Sequence, residues 1–288
     1  MRALLALCLV LPQVAHAEVG GNWMGGGRNS LLYGYAQPVP ASGCFPSTNT
    51  VLTLDASDLT TLYTDVAGTT NVTTDGDPVG MWKDKNGNGF NLTAQADDTT
   101  RPTYHTSGGL HWVTFDGSND ILKRDAYLGL SSAAHTIAVA LRHDAAAQGS
   151  VMVERNIADP EVEYRPMRNF GSDFNDIQAW LRIADGTYRL NNVQIADEGF
   201  PTTTDVSVII TNSTTSIQAH VDGAAQTAQG FSAFSLTNPD TFGLGGSWRT
   251  TAADLYGGRI SYVKIYSDVK TGGDLTTIDT CLKATQGR

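Results

Sequence analysis

Charge is scarce in this sequence, and basic charge is scarcest. Charged residues fill 17% of its 288 positions, with 19 Lys and Arg against 29 Asp and Glu, for a formal net charge of −10. Nucleic acid and anionic membrane surfaces are therefore not its expected partners. Cysteine is confined to Cys8, Cys44 and Cys281, with no CxxC pair and no His/Cys cluster of zinc type. That spacing excludes the common zinc frameworks. Glutamate occurs only at positions 18, 154, 161, 163 and 198. No internal repeat of roughly 20–50 residues is visible, which excludes solenoids and propellers.

What is abundant is glycine, at 30 residues, with short runs rich in Thr, Val and Asn. This is a turn-rich, all-β composition. Leu110 to Leu122, LHWVTFDGSNDIL, sets the pattern. Residues alternate up to Phe115, Asp116-Gly117 supplies tight-turn chemistry, and a second extended run begins at Asp120. Similar extended runs are expected at 51–54, 136–141, 151–154, 177–183, 206–211, 216–221 and 258–266. Many short strands punctuated by Asp-Gly, Asn-Gly and Gly-Gly imply an antiparallel β-sandwich. One short C-terminal helix is expected, because Leu275, Ile278 and Leu282 fall at helical spacing after a glycine pair.

The N-terminus has the form of an export signal: Arg2, an apolar run from Ala3 to Leu11, then Ala15-His16-Ala17 as a small-residue cleavage site. The apolar run is too short to span a bilayer. The alternative is an apolar anchor tucked into a larger assembly. Residues 18–47 are rich in Gly and Pro and lack apolar periodicity, which gives a linker or docking arm with Trp23, Leu31, Leu32, Tyr33 and Tyr35 as contact points, or disorder. The expected organisation is a leader at 1–17, the arm at 18–47, one β domain at 48–283 and a tail at 284–288.

Several motifs carry a family resemblance. Phe115-Asp116-Gly117 with Asp120 resembles the "FDG, acidic, apolar" corner of laminin-G-like domains in the concanavalin A-like jelly-roll superfamily. Trp82 to Gly89 resembles the loop that precedes this corner, and His220-Val221-Asp222-Gly223 resembles the family's "V-D-G" hairpin. The closing strand pair resembles Phe242 to Gly246 followed by Gly258, Ile260, Val263, Ile265 and Tyr266. More narrowly, Asp55-Ala56-Ser57-Asp58-Leu59 through Gly80-Met81-Trp82 is similar to laminin-G-like proteins of tailed phages of marine and related proteobacteria. The resemblance implies a concanavalin A-like jelly roll. It also implies a virion accessory, whether head fibre, decoration protein or tail adhesin, with capsid or tail proteins as partners of the arm. An exported bacterial lectin-like adhesin and a purely structural assembly protein stay open, as does a homo-oligomer. In jelly rolls the first and last strands lie side by side, which implies a disulfide between Cys44 and Cys281. Export would permit that bond, whereas cytosolic assembly would leave two thiols.

Catalysis is not expected. Glycoside hydrolysis needs two carboxylates flanking one bond, and the Glu-x-Asp-x-x-Glu strand motif of jelly-roll glucanases is absent. Glu161 and Glu163 lie between Pro160 and Pro166, which gives a solvated acidic turn, a loop or an edge. No G-x-S-x-G elbow occurs. His105, His111, His135 and His220 read as structural. Asp84, Asn86 and Asn88 with Gly89 match the first half of a calcium loop, but Gln95 stands where a bidentate carboxylate is needed, and Asx-rich turns commonly bond their own backbone. Calcium is a possible cofactor, and Asp75 and Asp77 could add ligands.

The candidate glycan site comes from hairpin arithmetic. A two-residue turn at Asp185-Gly186 pairs Ile183 with Tyr188, Arg182 with Arg189, Leu181 with Leu190 and Trp180 with Asn191. One face is then Ile177, Ala179, Leu181, Ile183, Tyr188 and Leu190, as core. The other is Gln178, Trp180, Arg182, Arg189 and Asn191. A Trp among amide and guanidinium donors suits stacking on a sugar ring and bonding its hydroxyls, and two guanidiniums favour an acidic cell-surface polysaccharide. The alternative is an ordinary solvent face or one covered by another chain. The expected location is the virion surface or the extracellular space.

Overall fold

The structure is a computed structural model that describes residues 43–95, 100–131, 133–144, 148–159, 162–170, 176–183, 187–197, 203–232, 239–248 and 251–288. The leader and the arm up to residue 42 lie outside the described residues. The chain runs through β1 (Thr50–Asp55), β2 (Leu62–Tyr63), β3 (Met81–Trp82), β4 (Leu92–Thr93), β5 (Thr103–Ser107), β6 (Leu110–Asp116) and β7 (Leu122–Arg124). It continues through β8 (His135–His143), β9 (Gly149–Arg155), β10 (Glu163–Phe170), β11 (Asp176–Arg182) and β12 (Tyr188–Ala196). Then follow β13 (Asp205–Asn212), β14 (Ser216–Val221), β15 (Ala224–Ala225), β16 (Gln229–Gly230), β17 (Thr241–Leu244), β18 (Ser247–Trp248), β19 (Ala252–Ala253), β20 (Gly257–Tyr266) and α1 (Gly273–Thr285).

The strands make an antiparallel β-sandwich. The first sheet has the order β15-β14-β13-β8-β20-β6-β5, with β1 paired to β20 and β16 to β14. The second runs β12-β11-β10-β9-β17-β7-β4-β3-β2. Because side chains alternate along a strand, Ile137, Val139 and Leu141 of β8 meet Met152, Tyr164, Leu181 and Phe242 of the second sheet in the shared core. The intervening Ala138 and Ala140 point the other way, against Ile278 and Leu282 of α1. Small side chains there let the helix approach the sheet. The helix starts after Gly272, whose φ of 51° is in the left-handed region.

The outer face of the first sheet is thus closed by the chain's own helix. Ser207 Oγ of β13 donates to Asp279 of α1, and Lys283 holds the same carboxylate at 2.7 Å. Gln286 Nε2 donates to the carbonyls of Leu141 and Val206, both at 3.0 Å. Cys44 and Cys281 are joined by a disulfide with Cα atoms 5.9 Å apart, and Phe45 stacks on Tyr262 with ring centroids 4.3 Å apart.

Two turns legible in the sequence have the expected chemistry. At the Phe115 corner, Asp116 Oδ1 accepts the N–H groups of Ser118, Asn119 and Asp120, and Asp120 Oδ2 accepts that of Asp116. The β14–β15 hairpin turns at Asp222 and Gly223, both with positive φ, which matches the twist of its strands.

One segment corrects the sequence reading. Residues around Glu163 and Pro166 are neither a loop nor an edge: β10 lies between β9 and β11. Pro166 cannot donate to a ladder, and it sits where pairing is interrupted, between Tyr164 and Met167 toward β9 and between Arg165 and Arg168 toward β11. A bulge there accommodates the missing N–H within an interior strand. Glu163, expected in a solvated turn, is only 3% exposed.

Candidate functional site

The outer face of the second sheet carries charge where the first carries a helix. Directly opposed residues project to one face, and the pairs Glu163–Arg182, Arg165–Trp180 and Arg168–Gln178 between β10 and β11 lie opposite the core side. Glu163 is held by two guanidiniums: Arg155 Nη1 at 3.3 Å and Arg165 Nη2 at 2.9 Å. Arg165 also reaches Asp254 at 2.7 Å. Ser247 Oγ accepts from Arg155 at 3.0 Å and donates to Glu163 at 3.2 Å. The β18–β19 hairpin and Asp254 are therefore fastened onto this face by its arginines.

Trp180 is the centre of the arrangement. It is half-buried, with the guanidinium carbons of Arg165 and Arg168 5.7 and 5.5 Å from its ring centroid. Tyr188 meets it edge-on at 5.1 Å, and Arg182 lies 5.1 Å from the Tyr188 ring. Burial, and then the charge of Arg165, push the Arg168 guanidinium down. Arg168 donates to Asn192 Oδ1 at 2.8 Å and to Gln148 Oε1 at 3.3 Å. The Trp180 Nε1 and Gln178 Oε1 atoms are buried without a hydrogen-bond partner among the described residues. Orphaned buried polar atoms call for an account, and a hydroxyl-bearing ligand or ordered water would supply one.

The hairpin arithmetic is correct at Leu181–Leu190 and wrong around it. The structure pairs Arg182 with Tyr188 and Ala179 with Val193. Asn191 and Asn192 thus stand opposite the single residue Trp180, and Asn192 has a φ of 50°. This bulge turns Asn192, not Asn191, onto Arg168. Tyr188, expected in the core, is instead 38% exposed beside Trp180, and Gln178, expected on an open surface, is only 7% exposed. Arg182 stays on this face, while Arg189 sits at the pairing irregularity next to Tyr188 and is half-buried. Asn191 is exposed. The turn residues 184–186 lie outside the described residues. Sequence reasoning missed Arg165, Arg168 and Asn192. The alternation of Glu163, Arg165 and Trp180-facing charges was the available signal, masked by Pro166.

The calcium residues do not fit a cation. Asp84 Oδ1 accepts the backbone N–H groups of Thr53 and Asn86, and Oδ2 accepts that of Asn88. Asn86 Nδ2 donates to Thr53 Oγ1 at 2.8 Å and Asn88 Nδ2 to the Val51 carbonyl at 2.9 Å. A carboxylate ringed by N–H donors has its lone pairs engaged, and the loop clamps β1 instead. Asp77 likewise accepts from Thr73 and Thr74, and Asp75 from Thr106.

The other carboxylates in the core are also engaged. Glu154 is buried on the inner face, where it accepts the N–H groups of Leu128, Leu130 and Ser131 while burial raises its pKa. His135 is held against Tyr164 in the core, and burial lowers its pKa to about 4. Glu161 and Glu198 lie outside the described residues.

No family model and no curated protein matches the sequence. Solved structures do match in fold. Domain 4 of an extracellular arabinanase from Geobacillus stearothermophilus, in complex with arabinotriose, is 12% identical with a TM-score of 0.52, covering 80% of this chain and 98% of that one. The sialidase of Trypanosoma rangeli, in complex with sialic acid, is 11% identical with a TM-score of 0.53. The match covers 82% of this chain but only 33% of the sialidase. At such identities the likeness establishes the shared β-sandwich fold.

Proposed function

We propose that this chain is a non-catalytic, surface-displayed glycan-binding module whose ligand is an acidic cell-surface polysaccharide. The observation that carries the reading is Trp180 on the outer face of the second sheet, flanked by the guanidiniums of Arg165 and Arg168 and met edge-on by Tyr188. An aromatic plane takes the apolar face of a sugar ring. The charge of Arg168 beside Trp180 and of Arg182 beside Tyr188 favours a carboxylate on that ring, while Arg165 stays bound to Glu163 and Asp254. The net charge of −10 makes this a local positive island. The matching arabinanase domain was solved in complex with arabinotriose, which is compatible with the same use of the fold here. Glu163, tied down by two arginines, is a structural carboxylate in this reading and not a catalytic one.

The setting we favour is a virion accessory of laminin-G-like type. A second reading, an exported lectin-like adhesin, draws support from the disulfide between Cys44 and Cys281, since such bonds form in oxidising compartments. Intact-mass measurement separates them: export yields a chain that begins at Glu18, whereas purified particles would contain the protein.

Binding itself is tested by Trp180→Ala and Trp180→Phe on an array of acidic and neutral glycans. The Ala variant should weaken acidic-glycan binding by about 1–2 kcal/mol or more, and Phe should restore part of it. Undiminished binding by a folded Trp180→Ala variant would remove the site from consideration.

A further inference from the structure

The row of side chains beside Trp180 does not end at the glycan face. Gln178 of β11 is opposite both Arg168 of β10 and Gln194 of β12. With strands about 4.8 Å apart, these three cover about 10 Å of the outer face, from the flank of Trp180 to the sheet margin. There an open cleft of about 280 Å³ separates the end of β12 from the β15–β16 segment of the other sheet. Gln194, Asp197, Gln226, Thr227 and Gln229 line it.

That volume lies just below the usual range for drug-sized ligands, roughly 300–1,000 Å³, so it admits one or two sugar rings. Beside Ile195 and Ala196, the lining has three carboxamides, a hydroxyl and one carboxylate, groups that give and take hydrogen bonds as sugar hydroxyls do. Gln226 Nε2 and Gln229 Nε2 rest on the Ala224 and Thr227 carbonyls at 3.3 and 3.4 Å. Contacts that long are weak and are readily exchanged for a ligand. Asp197 accepts from Gln194 at 3.1 Å and, as an anion, disfavours a second carboxylate. Between the cleft and Trp180, the buried Gln178 Oε1 awaits a donor.

We propose that this cleft is a second subsite that takes a neutral, hydroxyl-rich sugar residue. The ligand is then a heteropolysaccharide, with an acidic residue over Trp180 and a neutral one at the margin. The proposal rests on the glycan reading of the Trp180 face and adds the composition of the chain that lies across it.

The test uses three probes: a hyaluronan hexasaccharide, which alternates acidic and neutral residues; an oligogalacturonate of equal length, acidic throughout; and free N-acetylglucosamine. Affinities are measured for the wild-type chain, the double variant Gln226→Ala/Gln229→Ala, and Thr227→Trp, which fills the cleft from an exposed position. Wild type should prefer the alternating oligomer by about tenfold, a difference easily resolved by titration. Both cleft variants should lose that preference and keep their affinity for oligogalacturonate. N-acetylglucosamine should shift the side-chain amide resonances of Gln194, Gln226 and Gln229 even in Trp180→Ala. If both oligomers bind wild type equally, or the preference survives in both variants, the cleft proposal is overturned and the Trp180 reading stands. If neither acidic oligomer binds wild type, the Trp180 reading fails first and takes this proposal with it.

Discussion

The two sheets of this sandwich treat their outer faces in opposite ways. Over the first, Ala138, Ala140, Ile209 and Tyr262 are sealed by Ile278 and Leu282 of α1 into a second small core. Over the second, Arg155, Glu163, Arg165 and Arg168 are almost equally inaccessible, each at 5% exposure or less, yet they are polar and fastened by hydrogen bonds. A helix face needs only apolar complementarity. A charged face must be held by polar partners, and hairpin β18–β19, Asp254 and the Asn192 bulge supply them to Arg155, Arg165 and Arg168. Trp180 Nε1 and Gln178 Oε1 stay without one among the described residues. The first face is therefore a finished interior and the second a pre-organised surface.

The disulfide should show the largest effect, and it acts on the helix-covered side alone. It closes a loop with a sequence separation of 237 residues. Replacing both cysteines by Ser should lower stability by about 5 kcal/mol in the chain-entropy account, read from denaturant midpoints, with glycan binding at saturating folded protein unchanged. Binding lost in parallel would mean that the two faces are coupled.

Arg165 tests whether the charged face also has a structural role. Arg165→Ala strips Glu163 and Asp254 of a shared partner and should cost about 3–5 kcal/mol, the usual penalty for breaking a buried pair. A loss of binding without a loss of stability would show that Arg165 serves the ligand only. Trp180→Ala, by contrast, removes a half-buried ring and should cost only about 1–2 kcal/mol of stability.

The smallest effect belongs to the corner that joins the two sheets. Burial raises the pKa of Asp120 from the ordinary 3.8 to about 6. The folded state thus favours the protonated form, so this contribution to stability is complete below about pH 3.8 and is lost as pH rises through about 6. Asp120→Asn keeps an oxygen for the Asp116 N–H and removes the titration. The stability of wild type relative to this variant should fall between those two pH values, with a carboxyl resonance titrating near 6. A flat difference would show that the corner is not a titrating element.

The fold was largely legible because period-2 alternation and Asx-Gly turns report directly on strands and hairpins. Each of the runs expected at 51–54, 110–115, 136–141, 151–154, 177–183, 206–211, 216–221 and 258–266 falls on a strand of the structure, although residue 183 lies one place beyond its strand. The helix spacing of Leu275, Ile278 and Leu282 reports on one buried stripe in the same way. What failed was local irregularity. Pro166 hid β10 because a proline in a central strand is tolerable only where a bulge absorbs it, and bulges leave no mark in the hydrophobic pattern. The same blindness misplaced Tyr188 and Asn191, since an extra residue in β12 on each side of Leu190, at Arg189 and at Asn191–Asn192, reverses which side chains share a face. Trp180 was found because its own strand is regular there. Its arginine neighbours were not, because they arrive from the strand that Pro166 concealed.

The bond from Cys44 to Cys281 also gives the molecule a polarity. The chain enters the sandwich on the side of α1, and the last residues close against β8 and β13 on that same side, through Gln286 and the Arg288–Asp222 pair. Trp180 lies on the opposite side, with both sheets and their core in between. The first described residues, Gly43 and Cys44, are therefore pinned on the helix-covered face, with the whole thickness of the sandwich between them and the aromatic and arginine face.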